Sequence, residues 1–279
     1  MICKEDRLNC GGRCIDTEND GQHCGGCGLR CLSGVCQEGR CVLHLDALFT
    51  PHELSGTCIV WKGQIKCWGY NVDGRLGYDY RGSIRAPSRV FIDLGGKKAK
   101  QIDLMSGIGD GVCVLLEDGT LRCWDYDEEA YLTLFPKRKI EFGRKILQTD
   151  ATNAHRCVLF EGGDVKCWGF GLYGSLGYGD RKSRGSENED SVDLQGRKVR
   201  QVDTSYYSTC VLLEDGAVNC WGANYGGQLG YGDSIERNKP NLRDVDLRGQ
   251  KATQITMGEQ FTCALLEGGN VQCWGVNRY

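Results

Sequence analysis

Eighteen cysteines give this 279-residue chain its clearest capacity for chemistry. Ten of them form five pairs. The two cysteines of a pair are nine or ten residues apart, and a tryptophan follows the second cysteine of every pair. Such pairs can form disulfides, ligate zinc or remain as free thiols in a core. The element that carries each pair decides among these chemistries. The pairs are Cys58 and Cys67, Cys113 and Cys123, Cys157 and Cys167, Cys210 and Cys220, and Cys263 and Cys273.

Each pair lies on two short runs of Val, Ile and Leu around a glycine-containing turn, a pattern that predicts a β-hairpin. In the second unit, Glu117–Gly119 predicts a three-residue loop, which puts Cys113 opposite Cys123 at a close, non-hydrogen-bonded position. The cysteines of the first unit are one residue closer, and its turn at 62–63 is also one residue shorter. Turn length and cysteine spacing vary together, as a cross-strand disulfide requires and a zinc site does not. Five hairpin disulfides are therefore predicted, with free core thiols as the alternative.

The hairpin recurs with starts at positions 58, 113, 157, 210 and 263, a period typical of propellers and solenoids. After each hairpin come a glycine-rich turn, in which glycine supplies positive φ, a polar loop and a further strand pair such as 192–194 with 199–203. Segments 92–94 and 245–247 repeat the first of these strands. The expected fold is an all-β propeller of about five four-stranded blades over residues 43–279. The five tryptophans that follow the second cysteines are expected to have a packing role.

This region resembles the regulator of chromosome condensation repeat family, through a Cys-Trp-Gly motif followed by Gly-Gln-Leu-Gly-x-Gly-Asp that is best kept in 210–233. The resemblance implies a β-propeller, usually of seven blades. Family members include a nuclear exchange factor for a small GTPase that docks on chromatin and a secreted bacterial inhibitor of β-lactamases. The paired cysteines are more similar to those of the secreted bacterial members.

Two units depart from the family pattern. The second has lost its glycine turn after Cys123, so its blade is expected to be distorted, and the fifth stops before its outer strand. A five-bladed ring, an open arc and a truncated chain remain alternatives. An open arc would expose strand edges that allow self-association.

Residues 1–42 are expected to form a separate module without a large apolar core. Four disulfides are favoured, with their connectivity open, and zinc at His23, Cys24 and Cys27 is the alternative. The segment resembles the stigma-specific cysteine-rich family through 10–17 and 23–28, which implies an extracellular module without catalytic residues. Its eight cysteines are Cys3, Cys10, Cys14, Cys24, Cys27, Cys31, Cys36 and Cys41.

Charge and hydropathy exclude several classes of protein. Lysine and arginine number 34 against 37 acidic residues, so the net charge of −3 argues against a general binder of nucleic acid or acidic membranes. No long apolar run predicts a membrane span. The N-terminus carries no signal region, and full cysteine pairing predicts an oxidising compartment, outside the cell or on its surface.

No enzyme, cofactor or metal is predicted. The pattern Gly-x-Gly-x-x-Gly at 169–174 matches the turn of a blade, and no helix is expected to follow it. Asp180 and Asp233 could ligate calcium, but each turn offers one carboxylate, so a turn-capping role is favoured. The basic run at 136–139 is expected to be a solvated loop.

A non-enzymatic interaction module for a protein or a glycan is the favoured function, with contacts through loops 181–190 and 234–239. The alternative is a regulator like a guanine-nucleotide exchange factor, by family analogy. Exposed tyrosines on a propeller face suit partner binding. The candidate contact residues are Tyr173, Tyr178, Arg181, Arg184, Tyr225 and Tyr231.

Overall fold

A computed structural model describes residues 8–9, 14–15, 36–37, 40–41, 47–49, 56–69, 71, 74, 76–78, 82–85, 90–105, 111–125, 137–140, 142–152, 154–186 and 190–276. The chain divides into two compact units, Met1–Ala47 and Leu48–Tyr279. The first unit contains two small antiparallel pairs, β1 (Leu8–Asn9) with β2 (Cys14–Ile15) and β3 (Cys36–Gln37) with β4 (Arg40–Cys41). The predicted disulfides of this unit and its zinc alternative lie outside the described residues.

The second unit is all-β and is organised as five consecutive antiparallel sheets, the blades of a β-propeller. Blade 1 contains β5 (Ala47–Phe49), β6 (Gly56–Trp61) and β7 (Gln64–Gly69), and blade 2 contains β8 (Ala99–Met105), β9 (Gly111–Leu116), β10 (Leu121–Asp125) and β11 (Lys137–Ile140). Blade 3 contains β12 (Ile146–Ala151), β13 (His155–Phe160) and β14 (Val165–Gly169). Blade 4 contains β15 (Val199–Ser205), β16 (Ser208–Leu213) and β17 (Val218–Gly222), and blade 5 contains β18 (Ala252–Met257), β19 (Phe261–Leu266) and β20 (Val271–Gly275).

The five hairpins have the predicted register, and a disulfide joins the two cysteines of each. In blade 2, Leu116 donates its N–H to the carbonyl of Thr120 across the loop, at 2.9 Å, and Cys113 faces Cys123. The shorter turn of blade 1 has positive φ at Lys62 and Gly63, which brings Cys58 opposite Cys67. The Cα atoms of the five pairs are 4.0 to 4.1 Å apart.

The prediction of four strands in each blade is wrong for the described residues of blades 1, 3, 4 and 5, whose sheets have three strands. Segments 92–94, 192–194 and 245–247 are not strands. Each is joined to its blade by a single backbone hydrogen bond, such as the 2.8 Å bond from the N–H of Val192 to the carbonyl of Val165. A turn follows each segment at once, so there is no room for a ladder. Their apolar side chains are still buried, as Val192 and Leu194 show.

Blade 2 has a fourth strand where a loop was expected. The basic segment predicted to be solvated forms β11, which pairs antiparallel with β10 from Trp124 and Lys137 to Leu121 and Ile140. The glycine turn that follows the outer hairpin strand in blades 3 and 4 is missing from the sequence here. The chain therefore returns along the edge of the sheet, where its backbone groups find partners.

Blades stack through the face that carries the disulfide, called here the cysteine face. Leu159 and Val165, beside the disulfide of blade 3, pack against Val202, Val211 and Leu213 of blade 4. Blade 4 packs on blade 5 in the same way. This stacking buries both faces of the middle strand, as every residue of β16 is buried. The expected role of the tryptophans in packing holds most fully for Trp221, which is completely buried.

A repeated bulge directs a glutamine of the innermost strand towards the next blade. The register shifts between Ala99 and Gln101 in β8, and at the equivalent positions of β12, β15 and β18. The amide of Gln201 then spans to blade 5, donating to the carbonyl of Ile255 at 2.7 Å and accepting its N–H at 2.9 Å. Gln148 makes the same two bonds to Val202 of blade 4.

Candidate partner-binding surface

Two tyrosines hold the glycine turns of blades 3 and 4 against their hairpins. The hydroxyl of Tyr178 donates to the carbonyl of Cys167 at 3.0 Å and accepts the N–H of the same residue at 3.2 Å. Tyr231 makes the equivalent bonds to Cys220, at 3.1 and 2.9 Å. Burial raises the pKa of the Tyr231 hydroxyl to about 12. These two predicted contact residues thus form hydrogen bonds inside their own blades.

Arginines cover the same tyrosines. The guanidinium of Arg184 lies 4.4 Å from the ring centroid of Tyr178 and forms two hydrogen bonds with Asp180, at 2.9 and 3.0 Å. Arg237 repeats this arrangement with Tyr231 and Asp233 in blade 4. The predicted contact residue Arg184 therefore braces its loop.

The carboxylates of these turns have their own partners. Hydrogen bonds from Arg184 lower the pKa of Asp180 to about 2, and Asp180 also accepts the backbone N–H of Lys182 at 3.0 Å. Asp233 has the same two kinds of partner in Arg237 and the N–H of Ile235. The geometry agrees with the turn-capping role favoured over calcium. Among the described residues, no group of three or more His, Cys, Asp or Glu side chains is arranged to hold a metal ion.

Four tyrosines from three different turns meet at one end of blades 3 and 4, and we call them the tyrosine cluster. Tyr173 comes from the 3-10 turn Leu172–Gly174 after β14, Tyr206 and Tyr207 from the turn between β15 and β16, and Tyr225 from the loop after β17. The ring of Tyr173 lies edge-on to those of Tyr207 and Tyr225, with ring centroids 5.1 and 5.2 Å apart. The ring centroids of Tyr206 and Tyr207 are 4.4 Å apart.

The tyrosine cluster presents much of its surface to solvent. Tyr225 is 64% exposed and Tyr206 is 41% exposed, and the neighbouring Leu172 is 46% exposed. A hydrogen bond with Tyr173 raises the pKa of the Tyr225 hydroxyl. Aromatic rings held in contact with one another lose little conformational freedom on binding, so they suit a partner interface.

A polar groove of about 870 Å³ lies beside the tyrosine cluster, between the loops of blades 3 and 4. Asn238 joins the two loops, because its side-chain amide donates to the backbone carbonyl of Gly179 at 2.7 Å and its backbone carbonyl accepts the Gly179 N–H at 2.8 Å. Arg181 and Glu236 form an ion pair across the groove. Gly174, next to Tyr173 of the cluster, lies against the backbone of Asn238 in the groove, so the groove and the cluster adjoin.

Charges of both signs line the groove. Arg181, Arg184, Arg237 and Lys239 are set against Asp190, Asp193 and Glu236. Four of these seven charges are already paired: Arg181 with Glu236 across the groove, and Arg184 and Arg237 with aspartates of their own loops. The groove therefore offers directional hydrogen bonding rather than a strong net field, in keeping with the small net charge of the chain.

The structure brings together the two predicted contact loops, because both line this groove. Of the predicted contact residues, Tyr173, Tyr225 and Arg181 reach the common surface, whereas Tyr178, Tyr231 and Arg184 are engaged within their blades. Tyr206 and Tyr207 complete the tyrosine cluster although they are distant in sequence from Tyr173. They were not among the six candidate contact residues, and two adjacent tyrosines in the short turn between two strands are the sequence signal that could have indicated them.

The innermost strands carry a second group of titratable residues at the contacts between blades, of which Asp103 is buried and Asp150 and Asp203 are half-buried. Asp103 accepts a 2.7 Å hydrogen bond from Arg156 of blade 3, and Asp150 accepts the N–H and the hydroxyl of Thr204, both at 2.6 Å. Asp203 accepts the N–H of Met257 at 3.0 Å. Each carboxyl thus links its blade to the next.

Burial dominates the titration of these carboxyls. It raises the pKa of Asp103, Asp150 and Asp203, in the last two cases to about 7 and about 8, and the charge of the neighbouring aspartate adds to the rise in both. Arg156 opposes the rise at Asp103. Buried His155 has a pKa lowered to about 4 by desolvation, and its Nε2 lies 2.8 Å from the Thr209 hydroxyl.

No helix in the described part of the chain has the length and apolar character needed to cross a membrane.

Residues 215–265 match the family model of the Regulator of chromosome condensation (RCC1) repeat, and residues 199–228 and 252–279 match a second model of the same repeat. The chain is 29% identical over 226 residues to the ultraviolet-B receptor UVR8 of Arabidopsis thaliana. The aligned region covers 78% of this chain and 50% of the receptor.

The chain is also 29% identical over 232 residues to the human E3 ubiquitin-protein ligase HERC2, covering 79% of this chain and 5% of the ligase. It thus spans half or less of the length of these curated relatives. Among solved structures, human WBSCR16 is similar with a TM-score of 0.65 at 18% identity, over 84% of this chain and 62% of the other. Yeast RCC1 (Prp20), solved with Kap60 bound, has a TM-score of 0.66 at 20% identity, over 83% and 56%. At these identities the structural likeness shows the propeller fold.

Proposed function

We propose that this chain has a non-enzymatic role as an extracellular interaction module. Its repeat matches and its fold support the RCC1 β-propeller family. Its partner is a protein, which binds to the tyrosine cluster and the adjoining groove of blades 3 and 4. The structurally similar propeller Prp20p of Saccharomyces cerevisiae binds Gsp1p and histones, which supports a role in protein interaction for this fold.

One observation carries this proposal: exposed tyrosines and a polar groove form one surface on a stapled scaffold. Tyr206 and Tyr225 are the most exposed members of the cluster, and tyrosine is one of the residue types enriched in the hot spots of protein interfaces. The rings contact one another edge-on, so their flat faces are not arranged as a platform for a sugar ring. This favours a protein over a glycan.

The disulfides support an extracellular setting. A hairpin disulfide is present in every blade, and cytosolic thiols are kept reduced. Fold-level analogy alone supports the alternative role as a guanine-nucleotide exchange factor, and a propeller fold does not fix function. A reducing compartment would favour that alternative.

The proposal is tested by comparing partners captured by matched forms of the protein. Wild type, a Tyr206→Ala/Tyr225→Ala double variant and a Val90→Lys control are used as baits on proteins from the cell exterior. Val90 is 65% exposed and lies outside this surface. Each captured protein is then purified and its affinity for the three baits is measured.

The double variant should bind a specific partner at least tenfold more weakly, because two exposed aromatic anchors are lost, while the control should bind like wild type. Thermal unfolding must show that both variants are folded. Equal binding by the double variant and wild type would refute the assignment of this surface. Binding to a glycan array, with no protein partner, would refute the choice of a protein.

A further inference from the structure

The four rings of the tyrosine cluster form a continuous series of contacts that is open to solvent at both ends. Tyr206 contacts Tyr207, Tyr207 contacts Tyr173, and Tyr173 contacts Tyr225. The rings at the two ends are the exposed ones, Tyr206 and Tyr225. A phenol gives up an electron more readily than most side chains, and a vacancy made in one ring can move to a ring in contact with it. An oxidant that reaches either end therefore reaches the whole cluster.

The hydroxyl groups of Tyr173 and Tyr225 lie against each other. A side-chain hydrogen bond links the two residues, and their ring planes are 87° apart. When two oxidised phenols couple, the new bond joins the ring carbons next to the hydroxyls. A pair that meets through its hydroxyls therefore has the reacting carbons close together. Tyr225 is 64% exposed, so its ring has room to rotate towards that of Tyr173.

The backbone holds Tyr173 in a conformation that is unfavourable for a residue with a side chain. Its φ of 57° and ψ of 12° lie in the left-handed region, which glycine adopts more readily. The repeat places Gly226 at the same position of blade 4. In this conformation Tyr173, from blade 3, contacts Tyr207 and Tyr225, both from blade 4. Strain that is kept at a clustered side chain indicates that the position of the ring matters.

The five hairpin disulfides leave the blades without a covalent link to one another. Each disulfide joins two neighbouring strands of one sheet, such as Cys157 of β13 and Cys167 of β14. Blades 3 and 4 are held together by apolar packing and by hydrogen bonds such as those of Gln148 with Val202. A bond between the rings of Tyr173 and Tyr225 would join these two blades at their loops.

We propose that Tyr173 and Tyr225 are a site of oxidative cross-linking, at which a dityrosine bond joins blade 3 to blade 4. The oxidant is hydrogen peroxide, used by a haem peroxidase. Each phenol loses one electron and one proton, and a carbon–carbon bond forms between the two ring carbons next to the hydroxyls. The hydrogen on each of these carbons then moves to the oxygen and restores the phenol. The protein loses two hydrogen atoms in all, and they reduce one peroxide to two waters.

The cross-link should stabilise the stacked blades. The cysteines of a hairpin disulfide are nine or ten residues apart, whereas Tyr173 and Tyr225 lie in different repeats. Closing a longer loop removes more entropy from the unfolded chain. The site belongs to the surface proposed for partner binding, but the reaction needs no partner.

Peroxidase treatment of the dilute full chain tests the proposal, with peroxide alone as the blank. Wild type, Tyr173→Phe, Tyr225→Phe and the matched control Tyr206→Phe are compared. Each variant keeps its ring and loses only a hydroxyl, and Tyr206 is an exposed member of the cluster like Tyr225. Circular dichroism verifies the fold of every variant. Intact mass and dityrosine fluorescence detect the bond. Fragmentation of peptides locates it, after reduction and cleavage at Asp215 separate Tyr207 from Tyr225.

Wild type and Tyr206→Phe should each give a monomer that has lost two hydrogen atoms, with Tyr173 joined to Tyr225. The urea midpoint of this product should be higher than that of the untreated protein. Tyr173→Phe and Tyr225→Phe should each lose the link. The proposal is overturned if wild type forms no dityrosine, if the bond joins other tyrosines or separate molecules only, or if all variants react alike. The reaction is measured on the isolated protein, so its failure is distinguishable from a failure to capture a partner.

Discussion

Ionisation of Asp203 should destabilise the contact between blades 4 and 5. Burial raises the pKa of this carboxyl to about 8, and the charge of Asp150 adds to the rise. The unfolded chain releases the proton near the usual value of 3.8, so the folded state binds the extra proton between that pH and about 8. The contribution of Asp203 to stability is therefore greatest below pH 4 and falls as the pH rises through this window.

The change Asp203→Asn isolates this effect. The amide has no charge but keeps an oxygen that can accept the N–H of Met257, now bound at 3.0 Å. One pKa unit corresponds to about 1.4 kcal/mol, so a carboxyl with a pKa near 8 costs at most about 6 kcal/mol when it ionises in the fold. Because Asp203 is half-buried, solvent screens part of its charge, and the titration is shared with Asp150, so we expect the variant to gain about 1–3 kcal/mol at pH 8.5.

Urea unfolding followed by tryptophan fluorescence at pH 4.5 and pH 8.5 measures the gain. Asp246→Asn is the matched control, because Asp246 is exposed and its carboxylate also accepts one backbone N–H, from Arg248 at 2.8 Å. The free energy of unfolding of Asp203→Asn should be higher than that of wild type at pH 8.5 and should differ little from it at pH 4.5. A difference that does not change with pH, or a variant less stable than wild type at pH 8.5, would refute the reasoning.

Three further predictions concern the blades. Alkylation of the denatured, non-reduced protein should leave the ten repeat cysteines unlabelled in peptide mass maps; labelling there would contradict the disulfides. Gly177→Ala should cost about 2–4 kcal/mol in urea unfolding, because φ is +83° and a Cβ would lie 2.7 Å from Trp221 Nε1. Gly179→Ala, at φ +88° with no neighbour within 4 Å, should cost only about 1 kcal/mol, and equal costs would exclude the contact as the cause. Gln201→Ala should lose about 1–3 kcal/mol with its two bonds to blade 5, whereas Gln254→Ala, whose amide makes no such bond among the described residues, should lose almost none; similar losses would argue against this link between blades.

The sequence was sufficient for the hairpins because their information is local. The period-2 alternation, the turn length and the cysteine spacing are all set within about a dozen residues, so the register of Cys58 with Cys67 followed directly. The glycines of the turns were predicted from the same local rule, and Gly177 and Gly230 have positive φ. The propeller fold followed from the repetition of these units.

The sequence was less informative where an element depends on its neighbours. Whether 192–194 forms a ladder depends on the space that the following turn leaves, and β11 exists because its backbone needs a partner at an open edge. The local pattern at these places fits a strand or a loop equally well.

Only the tertiary structure decided which polar residues are available for binding. Tyr178 and Tyr225 both occupy glycine-rich loops, yet one hydroxyl is used within its blade and the other lies in the tyrosine cluster. The same holds for Gln201 and Gln254, which share a position in the repeat but differ in whether a blade covers them. The repeat in the sequence determines each blade, because its contacts are local. The stacking of blades determines the surface, because burial depends on what lies opposite.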